Sequence, residues 1–385
     1  MLRVFEAFSG YGSQSIALRN LGIEHEVVAI SEIDKYAIKA YEEIHGPTLN
    51  LGDISKIDVN DIPQHDLFTY SFPCQDLSVA GKQKGLEKGT RSGLLYECEK
   101  VIEHCRPKYL LLENVKNLVG KKFKADFDKW LEYLEGLGYT NYWKVLNAKK
   151  YGVPQNRERV FVVSILGEHE PFEWPKAIPL DKCIADILDE QVDEKYYLSD
   201  ELVERFKENI NKATGENVAK KIICEGNINP SGKGMNGNVF NSRGISPTLT
   251  TNKGEGQKII YYNNKKIELP CIVASRGRNP KNPSSRVAGE PTEQRLEINT
   301  NGTSNTITTV QKDNYAIEES FRIRKLTPRE CFRLMGMRDD DIDKIQEAGI
   351  SNTQQYKLAG NSIVVDVLEA IFKNLFKGGI KNVNN

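Results

Sequence analysis

The chain has 385 residues, 39% of them hydrophobic, enough for a full core and for two domains or one large domain carrying an insertion, which excludes the disordered classes. Seven cysteines without a Cys-x-x-Cys pair and five histidines suggest neither a disulfide framework nor a zinc site, so reduced thiols and no metal are expected. Charge balances at 53 basic against 53 acidic residues, and neither a secretory leader nor an apolar run near the ~20 residues of a membrane helix is visible, so a soluble cytoplasmic protein is expected.

Leu2 to Phe8 read as a strand, Ser9-Gly10-Tyr11-Gly12-Ser13 as a tight turn, and Ile16, Leu18 and Leu21 as the apolar face of a helix. Such a turn lets a cofactor approach the backbone, but the third glycine of a dinucleotide fingerprint is missing, and a plain turn explains the string equally well. The second apolar run, Glu26 to Ile30, ends in Ser31-Glu32-Ile33-Asp34, which puts a carboxylate at a strand tip where a ribose would lie. Gly52-Asp53-Ile54 is expected to end a third βα unit.

Asp66 to Tyr70 looks like a strand of a parallel sheet that Pro73 stops, so Cys74 falls at a carboxyl-terminal strand edge, where open α/β sheets bind ligands. A lone Pro-Cys also fits a small buried hydrophobe. The following Gly81-Lys82-Gln83-Lys84-Gly85 has the composition of a mobile loop. Leu94, Leu95, Val101, Ile102 and Cys105 mark a helix that packs on the sheet, with Cys98 and Cys105 in the core. Tyr109 to Leu112 is a buried strand ending in Glu113, at the same edge as Cys74 or as a helix-capping acid. A helix over Phe123 to Leu137 and a strand over Tyr142 to Leu146 follow. Gln155-Asn156-Arg157-Glu158-Arg159 then enters the apolar run Val160 to Ile165, and alternation sets Gln155, Arg157 and Arg159 on one face. Alone, that string reads as a solvated basic edge.

Near Phe172-Glu173-Trp174-Pro175 the βα rhythm stops. Asp189 to Glu216 holds 9 acids against 4 bases, whereas Asn217 to Tyr315 holds 14 Lys/Arg against 7 Asp/Glu. This basic portion contains a diverged duplication, Gly244-Ile245-Ser246-Pro247-Thr248-Leu249-Thr250-Thr251 against Gly302-Thr303-Ser304-Asn305-Thr306-Ile307-Thr308-Thr309. Each copy opens with an apolar strand and continues in a polar loop, the usual form of a recognition surface. The expected division is 1–174 plus 353–385 for one domain and 175–352 for the other, with repeats over about 220–262 and 270–317. Thr327-Pro328 starts a helix of structural role, and Gly360-Asn361-Ser362 leads into a last helix, Val367 to Phe376.

Pro73-Cys74-Gln75, Glu113-Asn114-Val115, the Gln-x-Arg-x-Arg string from Gln155 to Arg159, and Gly360-Asn361-Ser362 occur in that order. Together they resemble a DNA (cytosine-5) methyltransferase of bacterial or phage type, over roughly residues 3–165 and 322–372. The resemblance implies an α/β fold: a Rossmann-like S-adenosylmethionine-dependent methyltransferase sheet with a smaller, mainly β target-recognition domain inserted before the last segment. It implies S-adenosyl-L-methionine as cofactor, held by Phe8, Gly10, Gly12, Glu32, Ile33, Asp53, Ile54, Pro73, Leu94, Asn361 and Ser362; the family often has an aromatic where Ile33 stands.

It further implies Cys74 as the nucleophile that adds to cytosine carbon-6, Glu113 as the acid at ring nitrogen-3, Arg159 as donor to oxygen-2 and Arg157 as a cation favouring the thiolate. The implied partner is double-stranded DNA with the target base flipped out. Its expected contacts are Gln75, Ser78, Lys82, Lys84, Gln155, Arg243, Arg276 and Arg278, with Thr306 of the second repeat bracing the duplex near the flipped nucleotide. A monomer is expected, with any cognate restriction endonuclease acting separately. The alternatives are the tRNA-methylating branch of the superfamily and a non-catalytic DNA-binding protein on this scaffold. The long duplicated insert favours DNA, and the presence of Cys74, Glu113 and the glycine turn favours an enzyme.

Overall fold

The computed structural model describes residues 1–73, 92–155, 157–182, 184–196, 224–227, 238–241, 258–260, 271–280, 282, 291–298, 314–317 and 323–377. They fall into two compact units, one drawn from Met1–Asp189 and Thr327–Asn385, the other from Glu190–Gly302 and Lys312–Leu326.

The first unit is organised by β1 (Leu2–Ala7), β2 (His25–Ser31), β3 (Leu67–Tyr70), β4 (Tyr109–Val115), β5 (Tyr139–Asn147) and β6 (Glu158–Leu166), in the order β2-β1-β3-β4-β6-β5. The first four run parallel, and their runs of apolar residues are those of strands covered on both faces. β6 is antiparallel to both β4 and β5. That reversal has a direct consequence: the amino end of β6 lies at the same sheet edge as the carboxyl ends of β1 to β4. Arg159 stands in register opposite Val115, one turn of the pleat from Glu113. The expected third βα unit is reduced to a single parallel bridge between Ile30 and Asn50. Leu49 and Leu51 bond Ile30 from either side of it, and the chain then turns at Gly52 instead of extending the ladder.

The helices are α1 (Ser13–Asn20), α2 (Lys35–His45), α3 (Leu95–Cys105) and α4 (Lys124–Gly136), followed by α5 (Pro328–Arg333), α6 (Asp339–Glu347), α7 (Asn352–Asn361) and α8 (Val365–Leu375). Asp34 caps α2 by accepting from Tyr36 N. Cys98, Val101 and Ile102 of α3 and Trp130 and Leu134 of α4 join Phe5, Phe68, Leu110 and Val162 of the sheet in one core. Burying such side chains is worth roughly 1.5–3 kcal/mol each, which fixes the faces of the helices.

The compact units divide at Asp189 and Thr327, whereas the expected division lay at 174 and 352. The reason is local chemistry. Thr327 and Glu330 form a reciprocal capping box with Pro328 at the first helical position of α5. The same residues hold Asp189: its N donates to Glu330 Oε1 (2.9 Å), its Oδ2 accepts from Thr327 Oγ1 (2.8 Å), and its Oδ1 pairs with Arg333 (2.9 Å). The points where the chain leaves and re-enters this unit are therefore tied together, and Leu334, Met335, Ile342 and Ile345 beyond them are buried.

In the second unit, β11 (Glu293–Ile298), β10 (Cys271–Arg278), β12 (Asn314–Ile317) and β13 (Ile323–Lys325) make an antiparallel sheet, and β7 (Cys224–Asn227), β8 (Asn238–Asn241) and β9 (Lys258–Ile260) a smaller one. Both repeats open with an antiparallel hairpin, β7/β8 and β10/β11. They then differ: β9 pairs parallel with β8, while β12 pairs antiparallel with β10. The repeated Thr-rich strings lie outside the described residues. No described helix is long and apolar enough to cross a membrane.

Candidate active site

The carboxyl end of β1 breaks into an unusual backbone. Phe8 takes φ 56° and donates its N–H to Ser31 O at 2.7 Å, a left-handed conformation that costs a non-glycine residue energy. Gly10 and Gly12 also have positive φ, +58° and +80°, for different reasons. A methyl on Gly10 would meet no described atom within 4 Å, whereas one on Gly12 would lie 2.4 Å from His45 Nε2 and 2.6 Å from Tyr41. Gly10 leaves an open approach to the backbone; Gly12 permits α2 to pack.

Glu32, at the tip of β2, reaches back to this turn. Its Oε2 accepts from Gly10 N (3.0 Å) and its Oε1 from Ile33 N (2.8 Å) and Asp34 N (2.9 Å). Ile33 stands beside it, 74% exposed, an apolar group that no core claims. Asn50, which the sequence did not single out, braces the neighbouring loops: Oδ1 accepts from Glu32 N and Gly52 N, and Nδ2 donates to Glu32 O. A lone asparagine in a short loop signals only a turn, so its bridging role was invisible in the string. Asp53 accepts from Ser55 Oγ and N, and these bonds hold its carboxyl below the usual range. Ile54 puts its side chain into the core, leaving only its backbone for a ligand. Phe8 and Leu94 are half-buried against that core. Asn361, ending α7, is exposed, and Ser362 is buried with its hydroxyl donating to Leu358 O at 2.6 Å.

Next along the same edge lies Glu113. Burial pushes its carboxyl pKa up, while the Arg159 and Arg157 guanidinium groups pull it partly back. Arg159 Nε lies 3.2 Å from Glu113 Oε1. Asn114, the following residue, sends Nδ2 across to Phe72 O at 3.0 Å and accepts Val115 N on Oδ1. The Phe72-Pro73 backbone is thereby pinned to the end of β4, one residue short of Cys74. Cys74, Gln75, Ser78, Lys82 and Lys84 lie outside the described residues, as do Arg243 and Thr306.

Two expected residues have other employment. Gln155, assigned to DNA, has 0% exposure and donates Nε2 to Leu334 O at 2.6 Å, with Met335 S 3.6 Å away. It is a buried brace between the β6 approach and the end of α5, inaccessible to a nucleic acid in this fold, and the DNA assignment is withdrawn. Arg157, 4% exposed, donates Nη2 to Gly360 O (3.1 Å) and Ser362 O (2.8 Å). Alternation did bring the two arginines to one edge, where they meet different partners. In the second unit Arg276 stands in register opposite Arg295, and Arg278, half-buried, opposite Glu293.

Comparison with known proteins agrees with this architecture. Residues 2–377 match the family model described as C-5 cytosine-specific DNA methylase. The orphan methyltransferase M.SPRI of Bacillus phage SPR is 39% identical over 97% of both chains. The type II methyltransferase M2.ScrFI of Lactococcus lactis subsp. cremoris is 37% identical over 98% of this chain and 99% of its own. Among solved structures, the Dnmt2 methyltransferase of S. pombe shares the fold at a TM-score of 0.58 and 19% identity, over 98% of this chain and 99% of that one. With the family model spanning nearly the whole chain, the protein belongs to the C-5 cytosine-specific DNA methylase family and is a DNA (cytosine-5) methyltransferase.

Proposed function

We propose that the enzyme moves a methyl group from S-adenosyl-L-methionine to carbon-5 of a cytosine flipped out of a specific duplex sequence, through a covalent adduct with Cys74. The observation that carries this reading is the buried Glu113 carboxyl, 3.2 Å from Arg159, beside an asparagine that pins the backbone just before Cys74.

The edge of β1 and β2 fits a nucleoside cofactor without phosphates: an open approach at Gly10, a backbone-anchored carboxylate at Glu32 for ribose hydroxyls, and exposed Ile33 for a purine face. Asp53, the Ile54 backbone, Asn361 and Ser362 complete the set. Bound there, S-adenosylmethionine supplies an electrophilic methyl group. The protein's own task is to make cytosine carbon-5 nucleophilic. The Cys74 thiolate adds to carbon-6, and the ring electron pair moves to carbon-5. Burial favours the protonated form of the Glu113 carboxyl, in which it donates to ring nitrogen-3, and Arg159 donates to oxygen-2 as negative charge develops there. Once carbon-5 carries the methyl group, a base takes its proton, the electron pair re-forms the ring double bond, and the carbon–sulfur bond breaks.

The second unit reads the duplex. The stretch from Asn217 to Tyr315, most of it in that unit, supports this with 14 basic against 7 acidic residues.

A duplex containing 5-fluorocytosine tests the mechanism, because fluorine cannot leave as a proton does. The wild type with cofactor should form an adduct that survives denaturing electrophoresis; Cys74→Ser should bind DNA, form no adduct and lose turnover. Wild-type turnover by the serine variant would overturn the covalent route.

A further inference from the structure

We propose that Arg157 is a positioning residue for the segment that carries Asn361 and Ser362, and that it does not act directly on the target base. The proposal rests on the reading of that segment as part of the cofactor site.

The last carbonyls of a helix have no partner inside it. At the α7–α8 junction, Gly360 O and Ser362 O both accept from Arg157 Nη2, at 3.1 and 2.8 Å. The two acceptors bracket Asn361, which is itself exposed, so the guanidinium fixes the backbone on either side of a side chain that faces outward. The Ser362 hydroxyl closes the same junction from within by donating to Leu358 O. A cation at a helix carboxyl end is further favoured by the helix dipole.

The approach to β6 thus separates its tasks. Gln155 holds the end of α5, Arg157 the α7–α8 junction, and Arg159 the Glu113 carboxyl. Nη2 of Arg157 is committed to main-chain carbonyls more than 200 residues away and its charge is the lesser of the two acting on Glu113, whereas Nε of Arg159 pairs with that carboxyl directly. A loss at 157 should consequently be felt first as a misplaced Asn361, and a loss at 159 as a misplaced proton.

Calorimetric binding of S-adenosylhomocysteine and single-turnover methylation at saturating cofactor, measured together, separate the two. Arg157→Ala should weaken S-adenosylhomocysteine by about tenfold or more, since two charge-assisted bonds are lost, one buried and one part-buried, and lower the single-turnover rate by less than that. Arg157→Lys, whose ammonium can reach one or both carbonyls, should recover most of the affinity. Arg159→Ala should bind S-adenosylhomocysteine as the wild type does and lose about a hundredfold in single-turnover rate. The proposal is overturned if Arg157→Ala keeps wild-type affinity while its single-turnover rate falls as far as that of Arg159→Ala. Should the alanine variant fail to fold, as thermal unfolding will report, Arg157→Lys decides alone: an intermediate affinity supports the proposal, and wild-type affinity with lost turnover overturns it. A wild type without affinity for S-adenosylhomocysteine would instead overturn the cofactor reading, and this proposal with it.

Discussion

Glu6 on β1 is fully buried below the glycine turn, with Ser15 Oγ donating to its Oε1 at 2.8 Å, and burial pushes its carboxyl up to about 7. In the unfolded chain the same group ionises near 4.5. Between these values the folded protein holds the extra proton, so the stability contributed by Glu6 is fully present below 4.5 and is lost as pH rises through about 7. His45, half-buried, and His65, buried, act in the opposite sense: neutral in the fold and both held down to about 4, they contribute stability above 6.5 that is lost as pH falls towards 4. Only a difference measurement isolates the carboxyl. Glu6→Gln keeps an oxygen for Ser15 and removes the titration, so its thermal stability relative to wild type should climb from pH 4.5 to 7.5 by up to about 3 kcal/mol and then level off. A difference that stays flat over this range would show that Glu6 does not titrate there. The sequence showed only an acid inside an apolar strand; the burial that makes it unusual comes from α1 and α2 closing over it.

The turn joining β1 to α1 offers a sharper test, because its two glycines are alike in sequence and unlike in surroundings. Gly12→Ala must displace His45 and Tyr41 as well as hold a positive φ, and should destabilise the fold by about 2–4 kcal/mol, seen as a lowered unfolding temperature. Gly10→Ala bears only the backbone strain, about 1–2 kcal/mol, yet it places a methyl group on the open side of the turn. It should remain folded and lose at least about tenfold in affinity for S-adenosylhomocysteine. Undiminished binding by Gly10→Ala would mean that the cofactor does not approach the backbone there. At this scale the sequence was a good guide where an element is defined by its own residues: the strand before Cys74, the Thr-Pro start of α5 and the strand after Arg159. It failed where a partner decides. Gly52-Asp53-Ile54 is expected to end a third βα unit, and only the single bridge from Asn50 to Ile30 forms before it.

For the whole molecule, a positive excess concentrated in one portion of the chain should make duplex binding fall steeply with salt, following the number of phosphates contacted. Exchanging residues 217–315 for the corresponding segment of a relative should move the methylated site, read by sequencing methylated DNA, while cytosine carbon-5 stays the atom modified. An active chimera that still methylates the original site would refute this division of labour between the units. The sequence by itself determined the order of the chemical strings, the class of reaction they resemble and the placing of Glu32 and Glu113 at strand ends, because strand ends, glycine turns and caps are written in a few adjacent residues. Only the tertiary structure decided that β6 runs antiparallel and so delivers Arg159 to Glu113, that Asn50 ties two loops, and that Gln155 is interior. It alone showed Arg157 bonded to carbonyls 203 and 205 residues away. Alternation along an extended segment tells which residues share a face; what that face meets, water, nucleic acid or a returning helix, depends on distant chain that local pattern does not encode.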